Sequence, residues 1–110
     1  MRINNIAFPV SDLTAAKALF TALLSTEPYA DMPYYVGFRA GDGPEIGLDP
    51  NTKPGDGPIC YWEVADITAA VESLVSAGAT ADRPVRDVGN GRLVATVRDG
   101  NGNILGLTQA

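Results

Sequence analysis

The sequence predicts an α+β fold, in which one β-α-β-β-β unit is used twice within a single domain of 110 residues. Two observations predict it. Residues 10–16 match residues 64–70, and residues 39–48 match residues 98–107, in the same order and at nearly the same spacing. In addition, 45% of the residues are hydrophobic and 19% are charged, a balance typical of a globular core.

Each unit opens on a strand followed by a helix. Alternating apolar residues from Ile3 to Val10 indicate a strand, and Asp12 stands at the N-cap of the helix that follows. An apolar stripe at helical spacing comes next in both units: Leu13, Ala16, Phe20, Leu23 and Leu24, then Ile67, Ala70, Val71 and Leu74. Gly78 supplies a C-terminal cap in the second unit.

Strand-like segments follow each helix. They cover residues 34–39 and 45–48 in the first unit and residues 92–98 and 103–108 in the second. Glycine-rich links at residues 41–43 and 100–102 predict hairpin turns, and weaker patterns around Tyr29 and Thr80 predict one more strand each. We therefore assign module one to residues 1–50, a linker to 51–57 and module two to 58–110.

The composition excludes several classes of function. The chain has no histidine and a single cysteine, Cys60, which excludes histidine-ligated metals, histidine bases, thiolate metal sites and an internal disulfide. A formal net charge of −5 argues against a nucleic-acid partner. No stretch predicts a targeting segment or a membrane span, so we expect a cytoplasmic protein without a membrane partner.

Three segments resemble the vicinal oxygen chelate superfamily, which includes glyoxalase I, bleomycin-resistance proteins, fosfomycin-resistance enzymes and extradiol dioxygenases. They are residues 6–13, 63–67 and 99–107, the last similar to the family's Asp-Pro-Asp-Gly-Asn segment with glycine in place of proline. The resemblance covers essentially the whole chain. It implies two modules whose mixed sheet curls into a cupped, incompletely closed barrel with the helices outside, and it implies a homodimer.

The same resemblance implies where a metal would bind in relatives that use one. A histidine at the start of each module would fall at Asn5 and Ile59, and a ligand on each last strand would fall at Gly47 and Gly106. These four residues offer at most one amide oxygen. We therefore expect no metal and no cofactor, as in the metal-free branch that includes bleomycin-resistance-type proteins.

Strand alternation predicts which side chains face the cup. The positions that bind metal in the family should point into the cup, and this decides which alternate residues of each strand face it. On the strand that contains Ile59 and Tyr61, Trp62 therefore faces the core. The predicted ligand-binding residues are Asn5, Tyr35, Gly47, Ile59, Tyr61, Glu63, Val94, Thr96 and Gly106. Glu45 lies beside Gly47 in this scheme, and Arg39 and Arg98 lie at the rim.

This mixed aromatic and acidic surface predicts a metal-independent protein that binds a planar or cationic small organic ligand, such as an antibiotic or a metabolite. Two alternatives stay open: a metal-free isomerase or lyase with Glu63 or Glu45 as base and Tyr61 as acid, and an accessory module with a filled cup. The strand glycines mark either open space or close packing, and Glu63 either faces a ligand or pairs with Arg92 or Arg98. The sequence indicates neither the ligand nor any catalytic residue.

Overall fold

The computed structural model describes the whole chain, Met1 to Ala110. It contains two helices and nine strands in the order β1 (Ile3–Pro9), α1 (Leu13–Leu24), β2 (Ala30–Met32), β3 (Tyr35–Phe38), β4 (Glu45–Asp49), β5 (Ile59–Glu63), α2 (Ile67–Ser76), β6 (Thr80–Ala81), β7 (Arg86–Asp87), β8 (Leu93–Arg98) and β9 (Ile104–Gln109). The predicted α+β class and its repeated unit are confirmed. The chain divides into two compact units, residues 5–59 and residues 1–4 with 60–110.

In the first unit, the strands lie in the order β2-β3-β4-β1. β1 and β4 are parallel, whereas β3 is antiparallel to both of its neighbours. α1 begins where predicted, because the Asp12 carboxylate accepts the Ala15 N–H at 3.0 Å. It ends at Leu24, after which Ser25 takes the left-handed conformation (φ 51°).

The core of the first unit lies between α1 and one face of this sheet. Val36, Phe38 and Leu48 form its buried centre, and Phe8 and Phe20 pack against them. The Phe20 ring lies with its centroid 5.1 Å from that of Phe8 and 6.4 Å from that of Phe38, within the range of favourable aromatic pairs. Because strand side chains alternate, the residues between these core positions point to the opposite face of the sheet.

In the second unit, β9 lies between β5, to which it is parallel, and β8, to which it is antiparallel. β6 and β7 both pair with β8. The Asp66 carboxylate caps α2 by accepting the Ala69 N–H at 3.1 Å, and Gly78, just beyond the end of the helix, has a φ of +115°. Neither helix of the chain has the length and hydropathy that a membrane-spanning helix requires.

Buried Ile67, Ala95 and Leu107 form the core of the second unit, and Trp62 packs against them as the predicted phase requires. Two features of this unit differ from the prediction. β7 was not predicted, because its two exposed residues carry no apolar alternation. Residues 1–4 group with this unit rather than with module one, and here the Glu63 N–H donates to the Arg2 carbonyl at 3.2 Å.

Candidate functional site

A cluster of two tyrosines and one carboxylate lies on the sheet face of the first unit that points away from α1. β3 places Tyr35 there, β4 places Glu45 there, and Tyr29 lies just before β2. The Tyr29 hydroxyl donates to Oε1 of Glu45, and the Tyr35 hydroxyl donates to Oε2. Each carboxylate oxygen therefore accepts one phenolic hydrogen bond, and the group is held from two sides.

Gly37 forms the floor of this cluster. A Cβ added to Gly37 would lie 3.0 Å from Cε2 of Tyr35, 3.1 Å from Oε2 of Glu45 and 3.2 Å from Cε1 of Tyr29. All three side chains therefore rest on the one position of β3 that has no side chain. A larger residue at this position would push the cluster away from the sheet.

The surroundings keep both phenols protonated. Burial raises the pKa of Tyr35 far above its usual value, and the hydrogen bond to Glu45 raises it further. Burial and the same carboxylate raise the pKa of the more exposed Tyr29. The guanidinium of Arg39 opposes the shift at Tyr29, since its Cζ lies 3.9 Å from the centre of the Tyr29 ring. At neutral pH both phenols are thus protonated and donate to Glu45, and the guanidinium of Arg39 covers the Tyr29 ring.

Tyrosine rings fill the space above two of the predicted site glycines. A Cβ on Gly47 would lie 2.7 Å from Cε1 and 2.8 Å from Cζ of Tyr35. A Cβ on Gly106 would lie 2.6 Å from Cδ1 and 2.7 Å from Cγ of Tyr61. The interpretation of these glycines as open space is wrong, because an aromatic ring packs closely over each of them.

Of the predicted site residues in the first unit, Tyr35 belongs to the cluster, and the strand register brings Asn5 and Gly47 beside it. Asn5 is the partner of Glu45 across β1 and β4, and Gly47 is the partner of Gly37 across β4 and β3. Ile59 is buried, with 3% of its surface exposed. The structure thus adds Glu45, which lies two residues before Gly47 on β4, to the predicted residues of this unit.

The other predicted residues lie in the second unit, in two rows across β5, β9 and β8. One row holds Tyr61, Gly106 and Thr96, and the next holds Glu63, Thr108 and Val94. Nη1 of Arg92 lies 3.4 Å from Oε2 of Glu63 and donates to Oγ1 of Thr108 at 2.8 Å. Glu63 therefore pairs with Arg92, one of the two partners that the sequence left open.

The Thr96 hydroxyl makes its hydrogen bonds with other residues of the second unit. Its hydroxyl donates to Oδ2 of Asp82 at 2.8 Å and accepts the Arg83 N–H at 3.1 Å. Only 4% of its surface is exposed. A ligand would reach this hydroxyl only by displacing the segment after β6, so Thr96 serves to hold that segment on β8.

Tyr29 is the member of the cluster that sequence analysis missed. It lies in the connection before the three-residue strand β2, outside both matched repeats, and alternation assigns no face to such a position. Its backbone N–H donates to the Gly37 carbonyl at 3.0 Å, which places its ring beside β3. The nearest available signal was the recurrence of tyrosine at positions 29, 34 and 35.

The residues at the metal positions of related proteins do not fit a metal. In the first unit they are an amide, Asn5, and a glycine covered by Tyr35; in the second, Gly106 is covered by Tyr61. No group of three or more Asp, Glu, Cys or His side chains lies close enough together to hold an ion. Such a donor set is too poor for a transition metal.

A match to a family profile shows which protein family the chain belongs to. The profile of the Glyoxalase/Bleomycin resistance protein/Dioxygenase superfamily matches residues 2–107. The chain belongs to this superfamily. No curated protein matches it by sequence.

Solved structures share the superfamily fold at low identity. A glyoxalase/bleomycin resistance protein/dioxygenase superfamily member from Vibrio splendidus 12B01 is 16% identical, with 96% of each chain covered and a TM-score of 0.70. Methylmalonyl-CoA epimerase from Mycobacterium tuberculosis is 15% identical, with 98% of this chain and 87% of that chain covered and a TM-score of 0.76. A Legionella pneumophila protein described as an NAD-dependent benzaldehyde dehydrogenase is 14% identical, with 96% of each chain covered and a TM-score of 0.76. At these identities the likeness shows the fold alone, and the three structures carry different names.

Proposed function

We propose that this superfamily member is a metal-independent small-molecule binding protein that sequesters a planar organic cation, such as an antibiotic or a metabolite. The observation that supports this most directly is the Glu45 carboxylate held between the Tyr29 and Tyr35 hydroxyls on the face of β3 and β4. A carboxylate flanked by aromatic rings offers a cation both charge pairing and a stacking surface.

The packing of the cluster supports binding because it orders the site before a ligand arrives. The Tyr35 ring lies against Gly37 and Gly47, and its hydroxyl is tied to Glu45. Little side-chain freedom is then lost on binding, which lowers the entropic cost of association. The net charge of −5 adds a general attraction for cations.

A metal-free isomerase or lyase is the second candidate function. The cluster favours it as well, since the Glu45 carboxylate can act as a base while two protonated phenols beside it donate hydrogen bonds. The protein from Mycobacterium tuberculosis that shares the fold is named an epimerase, so an enzyme of the isomerase class occurs on this scaffold, but at 15% identity this assigns nothing to the present chain. Mass spectrometry of each bound compound separates the two functions, because a binding protein returns its ligand unchanged.

We expect the Glu45→Gln variant to lose about 10- to 100-fold in affinity for a cationic ligand, because it removes the charge at the centre of the cluster. A thermal-shift screen of cationic aromatic compounds with EDTA present supplies the ligand, and calorimetry measures the affinity. Glu63→Gln is the matched control, because it removes the same charge in the second unit, where Arg92 pairs with it. If Glu63→Gln weakens binding and Glu45→Gln does not, the proposed site in the first unit is refuted.

We also propose that the protein forms a homodimer. α1 carries apolar residues on its outer side, where Leu19 and Leu23 are 67% and 71% exposed. An exposed apolar helix face of this kind is typical of an interface. Light scattering at micromolar concentration should give twice the chain mass of 11.5 kDa, and a mass of 11.5 kDa would contradict the proposal.

A further inference from the structure

Arg39, the residue that follows β3, places its guanidinium over the face of the Tyr29 ring. The distance from Cζ of Arg39 to the ring centre is 3.9 Å, well inside the range of a cation–π contact. The hydroxyl of the same ring donates to Glu45. The chain therefore already holds one planar cation of its own beside the aromatic and acidic cluster.

We propose that Arg39 occupies the cation position of the binding site and that the ligand carries a guanidinium or amidinium group that displaces it. This inference rests on the proposed small-molecule binding function. The ring that Arg39 covers is the more exposed of the two tyrosines in the cluster, with half of Tyr29 open to solvent. A ligand that stacks on this ring has to remove the guanidinium first.

The shape of the resident cation sets the chemical class of the ligand. A guanidinium is flat, spreads its charge and is weakly hydrated, so it stacks on a phenol ring, whereas an ammonium is a compact and strongly hydrated charge. Amidinium groups share these properties of the guanidinium. A ligand of this class can reproduce the stacking on Tyr29 and bring its N–H donors towards Glu45.

The position of Arg39 allows it to leave without disturbing the fold. Its side chain is exposed, and it stacks on a ring face at the surface rather than in the core. The core of the same unit is formed by Val36, Phe38 and Leu48 on the opposite face of the sheet. Displacing or removing the guanidinium therefore leaves the core packing intact.

Calorimetry with benzamidine, benzylamine and benzamide tests the proposal on the full chain and on Arg39→Ala. We expect benzamidine to bind Arg39→Ala about two- to five-fold more tightly than the wild type, since no resident cation has to be displaced. Benzylamine should bind more weakly than benzamidine to both proteins, and benzamide should bind most weakly. Arg98→Ala is the control, because it removes the same charge at the position that matches Arg39 in the repeat, where Asp82 is its partner. Its affinity should equal that of the wild type.

Equal or weaker binding of benzamidine to Arg39→Ala would overturn the displacement proposal, and so would an equal gain in Arg98→Ala. Benzylamine binding as tightly as benzamidine would overturn the assignment of the ligand class. In each of these cases binding to the wild type, lost in Glu45→Gln, would leave the proposed function standing. If no cation binds either the wild type or Arg39→Ala, both this inference and the proposed function fail. Thermal melting of each variant checks that it is folded.

Discussion

The Phe38→Ala variant should lose about 3–5 kcal/mol of its free energy of unfolding. Phe38 has no exposed surface, and it lies at the centre of the first core with Val36 and Leu48. Removal of its ring takes away the contact with Phe20 and leaves a cavity that the rigid sheet cannot close. Urea denaturation followed by far-ultraviolet circular dichroism, which reports on both units, measures the loss.

Tyr34→Ala is the control for this variant. Tyr34 precedes the same strand but is 60% exposed, so its truncation should change the free energy of unfolding by no more than about 0.5 kcal/mol. If Phe38→Ala destabilises the protein no more than Tyr34→Ala does, then β3 does not present Phe38 to the core. The assignment of Tyr35 and Gly37 to the opposite face would then be wrong as well.

The Gly47→Ala variant should be destabilised by about 1–3 kcal/mol, because the new methyl group overpacks against the Tyr35 ring. The added carbon would lie 2.7 Å from Cε1 and 2.8 Å from Cζ of Tyr35. Either the ring moves away from the strand, which breaks its hydrogen bond to Glu45, or the two strands separate. Denaturation curves measure the loss, and the affinity for a cationic ligand should fall with it.

A double-mutant cycle isolates the contact between Gly47 and Tyr35. The Gly47→Ala change should cost much less in a Tyr35→Ala background than in the wild type, because the ring that it meets has been removed. Gly43→Ala is a matched control, since nothing lies within 4 Å of a Cβ at that glycine. Additive effects of Gly47→Ala and Tyr35→Ala would show that the ring does not rest on the glycine.

The sequence by itself determined both helices and every strand except β7, together with the faces of the main strands. Asp12 caps the first helix as predicted, Asp66 does the same at the matching position of the repeat, and Phe8 and Trp62 face the two cores as the alternation requires. These features depend on neighbours a few residues away, whose periodicity is visible in one dimension. The repeat carried the same assignment to Tyr35, which lies on the face that it predicts.

Only the tertiary structure decided which side chains meet on those faces. The pairing of Glu63 with Arg92, the burial of Thr96 against Asp82 and the hydrogen bond from Tyr29 to Glu45 each join residues on different elements. Such contacts depend on strand register and on side-chain rotamers, which alternation does not encode. A glycine is ambiguous for the same reason: the sequence allowed either open space or close packing at Gly47 and Gly106, and only the structure shows a tyrosine ring over each.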